Sequence, residues 1–380
     1  MIEIKDKKLC SGCSACFSVC PKHCITMQAD EEGFLYPFVD NSSCIDCHLC
    51  EKKCPVLHPF EKRKPIVCYA AQNKDELVRM NSSSGGAFTT LATTILDKGG
   101  IVCGVEFDKD KMTHHICIQS KVDLKKLIGS KYVQSRLENV FKEIKGYIQA
   151  GQWVLFTGTP CQVAGINSYL GNLSKAYNYI SVELCCHGAP SPLIWKKYLE
   201  EIGVYDSKIQ NLTFRSKENG WKNYSLEIQT DRFRLCEGKE QNIYMKGFLN
   251  SLYCRPICSE CKARGFATNS DLSIGDFWGL PRFYPNKDDN KGKSLMLILS
   301  DKGHKFYNEI ENKLEVFEIK YEEVIVGNTN YLLSSSPHVK RPIFWKYMAS
   351  GKSIRYSVER CLRLPLKLRL KNFIKKICKK

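Results

Sequence analysis

The stretch "LCSGCSACFSVCPKHC", residues 9–24, places five cysteines within fifteen positions. Its first four follow the spacing Cys10-x2-Cys13-x2-Cys16-x3-Cys20-Pro21, and the same spacing returns 34 residues later as Cys44-x2-Cys47-x2-Cys50-x3-Cys54-Pro55. Three thiols at successive x2 intervals suit a short loop gripping three corners of one iron–sulfur cube, whereas zinc is ordinarily held by two separated pairs. In motifs of this kind the fourth cysteine ligates the other cluster. The spacing therefore assigns Cys10, Cys13, Cys16 and Cys54 to one [4Fe-4S] cluster, and Cys44, Cys47, Cys50 and Cys20 to a second. Each proline fixes φ and removes a donor just past the fourth ligand, turning the chain away from the cube. Cys24 is then surplus and reads as a small buried hydrophobe. The intervening "GFLYPFVD" reads as a strand and turn covering the clusters.

The rest of the chain sets limits around this motif. An odd count of 21 cysteines behind the polar start MIEIKDKK argues against a secreted disulfide scaffold, so the thiols are expected to be reduced and many to bind metal. No apolar run approaches the roughly 18 residues that cross a bilayer, and "LMLIL" at 295–299 has the length of a buried strand. A soluble, cytoplasmic protein is expected. The formal charge is +17, of which Lys352 to Lys380 carries +10, so the basicity is mostly a tail.

After "HPFEKRKP" at 58–65 the pattern becomes one of alternating apolar strands and helices. The organisation read from it is a dicluster ferredoxin-like domain at 1–64, a larger mixed α/β (α+β or α/β) body whose parts are 65–150 and 151–340, and a basic amphipathic tail at 341–380. In "MNSSSGGAFTTLATTILDKGGIVCGVEF", a Ser/Gly loop precedes a helix with Phe88, Leu91, Ala92, Ile95 and Leu96 on one face, a stop at Gly99 and a buried strand. Free amides at that helix start make Ser83, Ser84, Gly85 and Gly86 an anion seat suited to a nucleotide phosphate, or a plain helix cap. "GQWVLFTGTPCQVAGINSYL" repeats the arrangement: a strand from Trp153 to Phe156, the turn Thr157-Gly158-Thr159, then Pro160 in the first helical position. Cys161 falls in the first helical turn, where the dipole favours its thiolate as a metal ligand or nucleophile. A Cys-His hydrolase would need a base that no sequence feature picks out. With Cys258 and Cys261 of "CRPICSECKARG" and one of Cys185 and Cys186, Cys161 makes four ligands for a third centre, either [4Fe-4S] or zinc. His187 is left outside that set.

The segments "SSSGGAFTTLATTILDKG", "GSKYVQS", "VLFTGTPCQVAGI", "ELCCHGAPSPLIWKKYL", "FRSKENGW" and "CSECKARGFATNSDLSIGDFWG" occur in this order. In them the chain resembles, from about residue 1 to 340, the family of beta subunits of coenzyme F420-reducing hydrogenases and dehydrogenases, in its form fused to a two-cluster ferredoxin. The resemblance implies an FAD-containing iron–sulfur oxidoreductase in a flavin-binding α/β body, fed by a redox partner protein or a reduced coenzyme. It further implies that Cys161, Cys186, Cys258 and Cys261 hold a third [4Fe-4S] cluster, with Cys185 and Cys254 as extra thiols. It makes Ser83, Ser84, Gly85, Gly86, Lys131, Tyr132, Thr157, Gly158, Thr159, Pro160 and Gln162 flavin neighbours, with Asp276 and Trp278 as weaker candidates. The substrate it implies is an organic molecule or coenzyme, with surface-polysaccharide synthesis as one setting. The alternative is a non-catalytic electron-transfer component that docks a partner oxidoreductase.

From Pro365 onward, Leu366, Leu370, Phe373, Ile374 and Ile377 fall on one helical face, with Lys367, Arg369, Lys371, Lys375 and Lys376 elsewhere. Such a segment suits peripheral contact with the inner face of a membrane or an acidic partner. Nucleic acid is not expected, because no stacking platform interleaves the charges.

Overall fold

A computed structural model describes residues 1–363. Between the two cysteine loops, Ile25–Ala29 (β1) and Leu35–Val39 (β2) close an antiparallel hairpin with Ile25 opposite Val39. The two loops share one backbone course: Gly12 and Asp46 have φ of 70 and 50°, and Ser14 and His48 have φ of 59 and 56°. A repeated left-handed kink at equivalent positions is what a duplicated ligand loop requires, since it curls the chain around the thiols.

The body is one eight-stranded sheet. Its strands are β3 (Val67–Asn73), β4 (Ile101–Phe107), β5 (Thr113–Ile118), β6 (Val154–Gly158) and β7 (Tyr179–Leu184). A separate three-stranded meander follows, of β8 (Asn211–Ser216), β9 (Ser225–Gln229) and β10 (Arg234–Gly238), before β11 (Leu272–Asp276), β12 (Ser294–Ile298) and β13 (Leu314–Glu318) complete the large sheet. The order across it is β13-β3-β12-β11-β7-β6-β4-β5. β4, β6, β7 and β11 run parallel, and β3 shares their direction because β3 and β11 are both antiparallel to β12. Strands β6 and β12 are buried along their whole length, as continuous apolar runs covered on both faces must be.

Alternate residues of each strand feed two cores. On one face Val102, Leu155, Val182 and Leu272 meet Leu91 and Ile95 of the helix Ala87–Asp97 and Phe306 of the helix Asp301–Asn308. On the other, Ile101, Val154 and Phe156 meet Phe141 and Ile144 of the helix Val140–Gln149 and Val163 and Ile166 of the helix Pro160–Leu170. Residues 65–150 and 151–340 thus interleave in a single sheet and form one body.

Two expectations need correction. The tail does not begin at 341: the helices Arg341–Ala349 and Ile354–Leu362 bury Phe344, Ile354 and Val358 in a core shared with Tyr253 and Trp195, because apolar residues recur there at helical spacing. The amphipathic stretch from Leu366 to Ile377, with its proposed membrane contact, lies outside the described residues. The thiols are not all free either: Cys103 and Cys117 stand opposite each other in the β4–β5 register, with Cα atoms 4.2 Å apart, and are joined by a disulfide. Among the described residues no helix is long and apolar enough to cross a membrane.

Candidate metal and cofactor centres at one rim of the sheet

Because β3, β6, β7 and β11 point the same way, the segments that follow them gather at one rim: Ser83–Gly86 after β3, Thr157–Gln162 after β6, Cys185 and Cys186 after β7, and Phe277 and Trp278 after β11. The carboxyl ends of parallel strands are where open α/β sheets place ligands.

The turn after β6 is held rigid. Thr159 caps the helix Pro160–Leu170 in a capping box with Gln162, whose side-chain oxygen accepts the Thr159 amide at 3.0 Å. Gln162 Nε2 donates to Ser135 Oγ at 2.9 Å, Ser135 Oγ to His115 Nδ1 at 3.0 Å, and His115 Nε2 to the Thr157 carbonyl at 3.2 Å. Burial pulls the His115 pKa down to about 4, so the ring stays neutral and keeps this donor order. The network fixes Cys161, whose sulfur lies 3.3 Å from Thr159 Oγ1.

β7 is the neighbour of β6, so Cys186 comes beside Cys161, and the short helical turn Pro256–Glu260 carries Cys258 and Cys261 to the same place. These four cysteines line one pocket, together with Arg255 and Arg264. Cys185 is not among them: it turns to the other side of its strand end, where a Cβ on Gly275 would lie 2.7 Å from Cys185 Cβ and 2.9 Å from the Tyr331 hydroxyl. Cys254 is buried beside Gly188 and outside the pocket lining. His187 is held by Ser251 Oγ at 3.3 Å and likewise does not line it.

Burial pushes the Cys161 thiol up to about 12 and the Cys186 thiol well above its ordinary value. Thiols so placed carry charge only when a metal replaces the proton. Their spread bears on which metal. Zinc at about 2.3 Å from each sulfur sets four sulfurs about 3.8 Å apart. Among the described residues the one group of three His, Cys, Asp or Glu ligand atoms lying within 4.8 Å of one another is Glu218, Glu227 and Cys236, so no three of the four pocket sulfurs approach that closely. That is wider than the spacing a ready-made zinc site needs. Arg234 already pairs with both Glu218 and Glu227.

The N-terminal unit sits against this pocket. Ser11, Pro55 and Val56, neighbours of Cys10 and Cys54, help to line it. Gly165 lets the helix Pro160–Leu170 touch the first ligand loop: a Cβ there would lie 2.8 Å from Cys13 Cβ and 3.0 Å from its sulfur. A charge on Cys10 or Cys54 would raise the thiol pKa of both Cys13 and Cys16, so these four thiols lie near one another. Cys20, Cys44, Cys47 and Cys50 line a second, outer pocket with Met1 and Ile45, and Cys47 is exposed. Cys24 is buried, yet its sulfur lies 3.4 Å from that of Cys20 and it lines the same outer pocket. Five thiols therefore surround the second centre.

The expected flavin neighbours divide. The helix Ala87–Asp97 starts at Gly86, whose φ of 86° favours glycine, and no side chain caps its amides. The Thr89 hydroxyl, in the first turn, is buried without a partner. Ser83 Oγ accepts the Ser130 amide at 2.7 Å, tying this loop to Lys131. Lys131 is half-buried with its ammonium on the Ile128 and Gly129 carbonyls, and burial draws its pKa down to about 7. An uncapped helix start, an orphan hydroxyl and a half-buried lysine fit an anionic cofactor. Ser84 and Gly85 serve the fold instead: Ser84 Oγ donates to the Lys293 carbonyl, and Gly85 packs on the Ala71 carbonyl. Tyr132 accepts from Arg215 at 3.1 Å, and Arg215 is paired with Asp276 at 2.6 Å over the Tyr224 ring.

Sequence reasoning missed Arg255 and Arg264, which stand three residues before Cys258 and three after Cys261. Arg264 donates to the Cys186 carbonyl at 2.5 Å and to the His187 carbonyl at 3.2 Å. A cation flanking each end of a Cys-x2-Cys pair was the available signal.

Two halves of one family match the body: the model for the N-terminal part of the coenzyme F420 hydrogenase/dehydrogenase beta subunit over residues 68–142, and that for its C-terminal part over 151–323. A 4Fe-4S dicluster domain model matches residues 9–57, which makes the N-terminal unit an iron–sulfur unit. The chain is 20% identical over 330 residues to a component of the F(420)H(2) dehydrogenase of Methanosarcina mazei, covering 83% of this chain and 86% of that one. It is 23% identical over 347 residues to an uncharacterised protein of Methanocaldococcus jannaschii, covering 80% and 87%. Among solved structures it is similar to a chain of the F420-reducing [NiFe] hydrogenase complex from Methanosarcina barkeri, at 20% identity and a TM-score of 0.47, covering 70% and 90%.

Proposed function

Because the chain belongs to the family of coenzyme F420 hydrogenase/dehydrogenase beta subunits and carries a 4Fe-4S dicluster unit, we propose that it is a flavin-containing iron–sulfur oxidoreductase with three [4Fe-4S] sites. The observation that carries the reading is the shared pocket, where Cys161, Cys186, Cys258 and Cys261 face residues of the first ferredoxin loop. The outer pocket of Cys20, Cys44, Cys47 and Cys50 opens to solvent at Cys47, the Cys10–Cys54 site lies inward of it, and the rim pocket comes next. A redox partner protein docks at the outer site in this reading, and an organic coenzyme or a sugar-linked substrate meets the rim. When bound, the clusters supply single-electron steps and the flavin exchanges them for two-electron chemistry.

This chain's residues have separable tasks. The rim cysteines give up their protons to hold metal, and the capping box keeps Cys161 in place. The free amides at Gly86 and Ala87, with the Thr89 hydroxyl, would hold a pyrophosphate, and Lys131 would supply positive charge to a bound flavin. Protein purified without oxygen is expected to contain stoichiometric FAD and about twelve irons per chain, falling to about eight in Cys186→Ser and unchanged in Cys185→Ser. Eight irons and no flavin in the unsubstituted protein would leave an electron carrier that docks a partner enzyme.

A further inference from the structure

Four arginines are buried among the described residues: Arg79, Arg215, Arg255 and Arg264. Arg79 pairs with Asp289 and Arg215 with Asp276, each at 2.6 Å. Neither Arg255 nor Arg264 has a carboxylate oxygen within 4.0 Å among the described residues, and these two are the ones that line the rim pocket. Burying an unpaired cation costs several kcal/mol, so a charge so placed implies an anion at the same spot. A cluster held by four thiolates is a net anion.

Arg255 touches more than one centre. It is 2% exposed. Its Nε donates to the Cys10 carbonyl at 2.8 Å, its Nη2 to the Leu35 carbonyl at 2.8 Å, and that same Nη2 lies 3.6 Å from Cys10 Sγ. Nη1 donates to Gln134 Oε1 at 3.1 Å, and the guanidinium stands 4.2 Å over the Tyr36 ring. Gly12 makes room for it, since a Cβ there would lie 2.7 Å from Nη1. From Cys10 the same side chain reaches the wall of the pocket that Cys258 shares, three residues along its own chain.

We propose that Arg255 is the common counter-cation of two centres, the Cys10–Cys13–Cys16–Cys54 cluster and the rim cluster of Cys161, Cys186, Cys258 and Cys261. It holds the reduction potential of both up relative to the outer cluster, and so sets the step between that outer cluster and the two inner centres. Arg264 acts on the rim centre alone. The inference rests on the three-cluster reading above.

The test is an EPR-monitored redox titration of the full chain purified without oxygen, with the outer cluster's signal identified by its loss in Cys47→Ser. In Arg255→Gln, two signals are expected to become harder to reduce by about tenfold in the one-electron equilibrium, about 59 mV, while the outer one stays put. Arg255→Lys, which keeps the charge, is expected to recover most of the shift. Unmoved potentials, an equal shift of all three, or the same potentials in the Lys and Gln variants would overturn the proposal. So would loss of iron from both variants, which assigns Arg255 a structural clamp only. Absence of rim iron from the unsubstituted protein would instead sink the three-cluster reading.

Discussion

At the scale of the residue, Glu183 shows how burial converts charge into pH dependence. It is 2% exposed on β7 and accepts from Thr268 Oγ1 and, at 3.1 Å, from Ser270 Oγ. Burial outweighs those bonds and raises its pKa to about 7. The folded protein therefore holds this proton more tightly than the unfolded chain does. The stability this contributes is complete below the ordinary glutamate pKa and is lost as pH rises through about 7, on the order of 3 kcal/mol over the whole window. Thermal melts between pH 5.5 and 8 are expected to show the midpoint falling with pH, and a flatter profile in Glu183→Gln. The ferredoxin cysteines were legible in the sequence because their meaning lies in spacing along a short loop. For Arg255 and Arg264 the sequence shows only that they flank a Cys-x2-Cys pair; that no carboxylate pairs with them is visible only in the folded arrangement.

At the scale of the element, the helix Pro160–Leu170 joins the sheet to the ferredoxin unit, and its smallest residue decides how closely. Gly165→Ala would drive a methyl into the Cys13 loop, at a cost of about 1–3 kcal/mol, and is expected to lower both the melting temperature and the iron content. Gly146→Ala on the exposed side of the helix Val140–Gln149 meets no atom within 4 Å and is expected to stabilise by up to about 1 kcal/mol with iron unchanged. Parallel melts and iron assays separate the two. The helices at 87–97 and 160–170 were readable from their apolar faces and helix-start signals, and the strand β12 (Ser294–Ile298) from the apolar run at 295–299, since each buries one face or all of itself. Strand order was not readable, because β3 pairs with β12 and β13, more than 200 residues away.

At the scale of the whole molecule, the two units are joined by buried polar contacts. Glu32 of the β1–β2 turn pairs with Arg341, at 2.9 Å between Oε1 and Nη1, and its carbonyl accepts from Ser191 Oγ at 2.5 Å. Removing one partner of such a pair leaves the other buried and unpaired, at about 3–5 kcal/mol. Arg341→Ala is expected to loosen the ferredoxin unit and speed proteolysis in the 58–65 linker, and adding Glu32→Gln is expected to restore much of the resistance. That contact also explains why a boundary drawn at 341 failed: charge density marked a tail, while the apolar residues among those charges were already committed to the core.

The place of β3 in the sheet has a consequence for how the protein is made. During translation both cysteine loops have left the ribosome once residue 57 is out, and every ligand of the N-terminal unit is then in hand. β3, only ten residues further on, waits with both its edges bare until residues 294–318 have been synthesised. The nascent chain thus presents nine thiols, the eight expected ligands and Cys24, long before the rim they will face exists.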